Sequence, residues 1–304
     1  MKRTVMAGCA ALVIPAVSIM AQAQQAPKPV AAAPKPPPVV TQEGAAQLEA
    51  LIGGALHAKP AKARNVLVFS KCEGFVHGEG IVYGNKALEL AAKTGAFRAD
   101  FSTDYASLTD KATLFKYDAV VLNNTTRLKT TGNPLLVPNL IEFVKSGRGL
   151  CVIHAGADNF YESPEAAEMV GGLFDGHPWG GGGTWAFKVE DPSHPLNQAF
   201  EGKDFKAGDE IYQQKTPPYD RAKLRVLVSL DLSDEKTAAA KGQKRVDKDF
   251  AVSWIRPYGE GRVFYTSFAH DKRAFLDKAR LWHILDGLQY TLGDLKADDK
   301  PAAK

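Results

Sequence analysis

The chain has 304 residues, a formal net charge of +4, 45% hydrophobic and 24% charged residues. The charge is mild and no basic stripe carries interleaved aromatics, which argues against nucleic-acid binding. Arg64 to Gly293, roughly 230 residues, suffices for one large α/β domain with a sizeable core.

Met1-Lys2-Arg3, the apolar run Thr4 to Met20 and Ala21-Gln22-Ala23 read as a secretory signal peptide over residues 1–23, cut after Ala23. The run is too short for a spanning helix. The mature chain is therefore expected to be periplasmic or secreted, with no integral membrane segment. Residues 24–63 are rich in Pro, Ala and Lys, the composition of a semi-rigid extended spacer. A short leader helix, Glu43 to His57, is expected at its end. Residues 64–293 form the expected domain. Residues 294–304 make a charged, Ala-rich tail expected to be disordered.

Within the domain, NVLVFS (Asn65 to Ser70) is an apolar, β-branched run and reads as the first strand. A glycine-rich loop follows, then a helix through Ile81, Leu88 and Ala91 that stops at Gly95. Phe97 to Thr103 alternates as a strand, and YDAVVL (Tyr117 to Leu122) is another. Leu140, Phe143 and Val144 mark a helix with Pro138 in its first turn. Leu150 to Ile153 is the fourth strand, ending abruptly at His154. Strands alternating with helices predict βαβ units and a mainly parallel sheet. Ser163-Pro164 predicts a capped helix start, and Gly171-Gly172 its end. DGHPWGGGG (Asp175 to Gly183) is a loop. Strands are then expected over Trp185 to Val189, Leu224 to Leu230, Phe250 to Ile255 and Arg262 to Ser267. A closing helix is expected over Phe275 to Leu292.

In open α/β sheets, ligands bind beyond the carboxyl ends of strands. His154 stands at such an end, followed by Ala155-Gly156-Ala157, which permit a sharp turn. His77 follows the first strand and His270 the last, so the three can converge on one edge, with Asp158 near by sequence. Two uses are open. Imidazole and carboxylate suit zinc or a related divalent ion, although no H-x-x-H or H-E-x-x-H spacing is present. Histidine also serves general acid–base chemistry. Asp209-Glu210 with Tyr212 supplies carboxylates, and His177 lies in the glycine loop. His194, in a Pro-bounded turn, and His283, in a helix, read as structural, and His57 receives no role. Trp179, Trp185, Tyr212 and Trp254 are candidate sugar platforms, with Trp179 preferred because it sits in a loop. Cys72 and Cys151 can form a disulfide or remain inert thiols. There is no G-x-S-x-G elbow, P-loop or dinucleotide fingerprint.

The segments VFSKCEGFVH, YDAVVLNNTT, GRGLCVIHAGAD, GGLFDGHP, EDPSHP, DEIY and GEGRVFYTSFAH, in this order and spacing, resemble the trehalose-utilisation (ThuA-like) family from about Val66 to Leu292. The resemblance implies a class I glutamine amidotransferase-like fold, a flavodoxin-like three-layer α/β sandwich. His154 stands where amidotransferases carry a cysteine nucleophile, which argues against glutamine hydrolysis. The resemblance further implies carbohydrate metabolism, with a disaccharide or its 3-keto derivative as the small-molecule substrate. By motif match it implies His77, His154, Asp158, His177, Glu210 and His270 as site residues.

The resulting expectation is an exported sugar-processing enzyme of isomerase, lyase or hydrolase type. His154, His77, Asp158, Glu210 and His270 are its expected catalytic groups, and His177, Trp179, Asp209 and Tyr212 are expected to contact substrate. A divalent metal such as zinc is the cofactor considered. The competing expectation is a non-catalytic carbohydrate-binding module of an exported complex.

Overall fold

A nine-stranded sheet, in the order β2-β1-β3-β4-β9-β8-β7-β5-β6, forms the middle layer of the computed structural model. The structure describes residues 37–302, together with Met1 and Thr4. The signal peptide and most of the spacer lie outside the described residues. The strands are β1 (Asn65–Phe69), β2 (Arg98–Ser102), β3 (Ala119–Asn123), β4 (Gly149–Ile153), β5 (Thr184–Val189), β6 (Phe205–Gly208), β7 (Arg225–Leu230), β8 (Ala251–Tyr258) and β9 (Gly261–Thr266).

β3 and β4 are buried at every position. Burial on both faces explains why they read as unbroken apolar runs. Side chains alternate between two cores. Val66, Val68, Val121, Cys151, Ile153 and Phe264 face one core, which also takes Leu48, Leu88, Ala91, Leu281 and Leu285. Leu67, Phe69, Val120, Leu150, Val152 and Val263 face the other, with Leu140, Phe143 and Met169. Helices Gln42–Ile52, Gly78–Lys93 and Lys278–Thr291 thus cover one face, and Leu136–Lys145 and Pro164–Val170 the other. Ser163 caps the last of these through a bond from Ala166 N, and Gly171 ends it at φ 82°, as the residue types require.

The sheet is mixed, which corrects the expectation of a mainly parallel one. β2, β1, β3, β4 and β9 run parallel, giving four parallel pairings. The four pairings among β9, β8, β7, β5 and β6 are antiparallel. Only β8 and β9 are joined by a tight turn, Gly259-Glu260, which requires antiparallel neighbours. β6 was not foreseen, because FKAG at a sheet edge buries little.

The leader helix ends at Ile52, and it packs Leu48 into the core. The tail is tied down rather than loose. Asp294 accepts from Arg64 Nε at 3.1 Å, Asp299 from Tyr290 Oη at 2.8 Å, and the Asp298 carbonyl lies 3.0 Å from His194 Nε2. Cys72 and Cys151 are free thiols. Among the described residues, no helix is long and apolar enough to cross a membrane.

Candidate functional site

β1, β4 and β9 are parallel, so the residues after each emerge at one edge of the sheet. His154 follows β4 directly and turns at φ 47°, a conformation that costs a non-glycine residue on the order of 1–3 kcal/mol. Gly156 makes the turn possible, since a Cβ there would lie 2.5 Å from Val152 Cγ1 and 3.0 Å from the Leu122 carbonyl oxygen. His154 is buried, and its Nδ1 sits 2.6 Å from the Ser267 carbonyl oxygen. A carbonyl only accepts, so Nδ1 carries the proton and Nε2 presents a bare lone pair.

His77 stands at the N-terminal cap position of the Gly78–Lys93 helix. Its Nε2 is 3.3 Å from the Tyr212 hydroxyl. The rings of His77, His154 and His270 meet edge to face, with centroids 4.8, 5.0 and 5.3 Å apart. Glu210 closes the group. Its Oε1 lies 3.4 Å from His270 Nδ1 and 3.8 Å from His154 Nε2. The first is an ion-pair contact that favours the protonated form of His270. One ligand atom from each of His77, His154, His270 and Glu210 falls within 4.8 Å of the others. These four are the residues that could hold a metal.

Burial dominates the electrostatics. It pushes the His77 imidazole down to about 4, with the nearby His270 adding to the effect and Glu210 opposing it. It also holds His154 well below the ordinary histidine range, reinforced by His77 and His270. Burial pushes the Glu210 carboxyl up, but His270, His177 and His77 outweigh it and leave Glu210 below its ordinary range. Burial pulls the His270 imidazole down, but Glu210 outweighs it and leaves His270 above its ordinary range. At neutral pH the site therefore holds two neutral imidazoles, His77 and His154, beside an ionised carboxylate paired with His270.

Asp209 builds this arrangement without joining it. Its carboxylate accepts from the amides of Glu210 at 2.9 Å, Ala269 at 3.0 Å and His270 at 3.2 Å, with Arg280 Nη1 at 3.4 Å. It is fully enclosed, which corrects its assignment as a substrate contact. Tyr212 is also buried, its ring 4.4 Å from that of His154. It backs the histidines, and its amide bonds Ser267 Oγ at 2.9 Å. Asp158 is held apart from the four. Its carboxylate engages the Tyr161 hydroxyl and Arg127 Nε, the latter at 3.0 Å. The short 3-10 turn over His154–Ala157 carries it to the next strand end.

Trp179 is corrected outright. It is 0% exposed, donates to the Thr237 carbonyl at 2.9 Å and packs on Phe250, so it offers a sugar no face. Trp185 and Trp254 are likewise core residues. His177 does lie at the rim, 52% exposed, with Nδ1 3.6 Å from Glu210 Oε2. The aromatic that sequence reading missed is Phe75. It is 68% exposed beside Val76 at 58%, and its ring meets His77 at 4.8 Å. The only signal was an aromatic next to Gly74 in a loop ending at His77. His194 and His283 are structural, as expected, and His57 pairs with Asp286 at 2.8 Å. A cavity of about 390 Å³ lies elsewhere, lined by Glu190, Arg221 and Asp249. Those charges satisfy one another.

Comparison with known proteins follows the same outline. No curated protein matches significantly. A ThuA-like protein from Bacteroides uniformis superposes with a TM-score of 0.61 at 20% identity, covering 77% of this chain and 94% of its own. Another, from Parabacteroides merdae, gives 0.55 at 17% identity, covering 80% and 93%. These likenesses are of fold. The ThuA family, described as trehalose utilisation, matches residues 65–291, and the chain belongs to that family.

Proposed function

We propose that the protein is an exported enzyme acting on a disaccharide or its 3-keto derivative by proton transfer at the histidine–glutamate cluster. One observation carries this reading: three imidazoles, two of them buried, and one carboxylate from distant parts of the chain meet at the strand ends. Such groups perturb one another's charge and sit where α/β folds do chemistry. The family's link to trehalose utilisation supports the sugar as substrate.

In a keto-sugar, the C–H bond next to the carbonyl breaks. Its proton passes to a base, and the electron pair moves onto the carbonyl oxygen as an enolate. Glu210 is the base in this reading, since it is an ionised carboxylate with partial access to solvent. His177 exchanges the proton with solvent from the rim, and Phe75 covers an apolar sugar face.

The test is NMR of trehalose and 3-keto-disaccharides incubated with purified protein. Turnover by the wild type, reduced about 10²-fold or more in Glu210→Gln, supports the reading. Sugar binding without turnover favours the carbohydrate-binding module, and turnover unchanged in Glu210→Gln removes Glu210 from the chemistry.

A further inference from the structure

We propose that His77, His154 and His270 bind one divalent transition-metal ion of the zinc class, with Glu210 beside the open coordination position. The inference deepens the proposed function, on whose site it rests. Three side-chain nitrogens carry it: His77 Nδ1, His154 Nε2 and His270 Nδ1 are each buried and have no hydrogen-bond partner. A buried polar atom left unpaired costs about 1–3 kcal/mol, so three of them in mutual ring contact need a common partner.

A proton on His270, in its contact with Glu210, serves that nitrogen alone and leaves His77 Nδ1 and His154 Nε2 bare. A cation serves all three at once. Ligand atoms around a tetrahedral zinc ion lie about 3.3 Å apart, given bonds of about 2.0–2.1 Å. One ligand atom from each of the four side chains already lies within 4.8 Å of the others.

The surroundings match a metal centre. The Ser267 carbonyl fixes His154 with its Nε2 lone pair turned to the cluster. Tyr212 provides the partner for His77 Nε2, leaving Nδ1 as the bare nitrogen. Both are the kind of outer contact that orients ligating histidines. Asp209 fixes the backbone of His270 and Glu210 together. Glu210 differs from the imidazoles. It has no orphaned oxygen, it is partly accessible, and it shares its second oxygen with His177. We therefore place it towards substrate and not among the three ligands. Three protein ligands and an open position are the pattern of catalytic zinc sites. The ion there would polarise a sugar oxygen while Glu210 moves the proton.

The experiment uses the full chain, stripped with chelator and titrated with zinc chloride by calorimetry, with cobalt absorbance as a second readout. The expected result is one ion per chain, with affinity reduced at least about 100-fold in His77→Ala and His270→Ala. Glu210→Gln keeps its affinity within about tenfold, and His57→Ala is unchanged. Far-UV circular dichroism of the stripped variants separates lost ligation from lost folding. Absence of saturable 1:1 binding, or full affinity in both histidine variants, overturns the proposal. Loss of binding in Glu210→Gln overturns the division of roles. Stoichiometric zinc without sugar turnover would sink the proposed function and leave the site standing, whereas turnover by fully stripped protein would do the reverse.

Discussion

Replacing Asp209 by alanine separates a structural post from a substrate contact. Its carboxylate is enclosed and receives three backbone amides, those of Glu210, Ala269 and His270, together with Arg280. Alanine leaves those amides without an acceptor and the buried Arg280 guanidinium without this counter-ion. An orphaned buried donor costs about 1–3 kcal/mol, and one partner removed from a buried pair about 3–5 kcal/mol. The costs overlap, because Arg280 keeps its bond to the Gly208 carbonyl at 3.0 Å and the loops can relax. A net loss of about 3–5 kcal/mol is expected. Urea unfolding of wild type and Asp209→Ala measures it, with zinc affinity of the surviving folded fraction as the companion readout. Both should fall, because the same carboxylate holds the backbones of His270 and Glu210. A loss under about 1 kcal/mol with zinc affinity intact and only the KM for sugar raised would refute this reasoning and restore Asp209 as a substrate contact.

Three further outcomes are expected. Phe75→Ala should raise the KM for a disaccharide about tenfold and change stability by less than about 0.5 kcal/mol, because the ring is exposed; steady-state kinetics with denaturant melts would check both. Gly156→Ala should cost about 1–3 kcal/mol, since its Cβ has no room beside Val152 and Leu122, as measured by urea unfolding. His283, which burial pushes down to about 4 against the pull of the Leu196 carbonyl, makes stability fall in acid. The unfolded chain takes up the proton near 6.5 and the folded chain only near 4, so the contribution is full above 6.5 and lost as pH falls through that window. At pH 4.5 the effect is about 3 kcal/mol, so the stability advantage of wild type over His283→Gln should shrink from pH 7.5 to pH 4.5. An advantage independent of pH would contradict the assignment.

The sequence was most informative where burial is symmetric. β1, β3 and β4 read directly because unbroken apolar runs occur where both faces are covered. Their shared direction then implied that His77, His154 and His270 emerge at one edge. β6 stayed hidden because an edge strand buries little, and the sheet was read as mainly parallel because the alternating first half implies parallel strands while the second-half strands carried no sign of their direction. Site residues were harder. In Asp209-Glu210 two neighbouring carboxylates do opposite work, one enclosed under backbone amides and the other turned to imidazoles. Only tertiary packing makes that distinction. Trp179 stands within a glycine-rich loop yet anchors that loop into the core through Thr237. Phe75 lies in a loop where its residue type did not single it out, and its exposure beside His77 became visible only with the chain folded.

The most direct test of the account is nitrogen-15 NMR of the seven histidine side chains during a zinc titration. The account predicts that the resonances of His77, His154 and His270 shift together and saturate at one equivalent, while those of His194 and His283 stay in place. Separate, unsaturable shifts scattered over other histidines would contradict it.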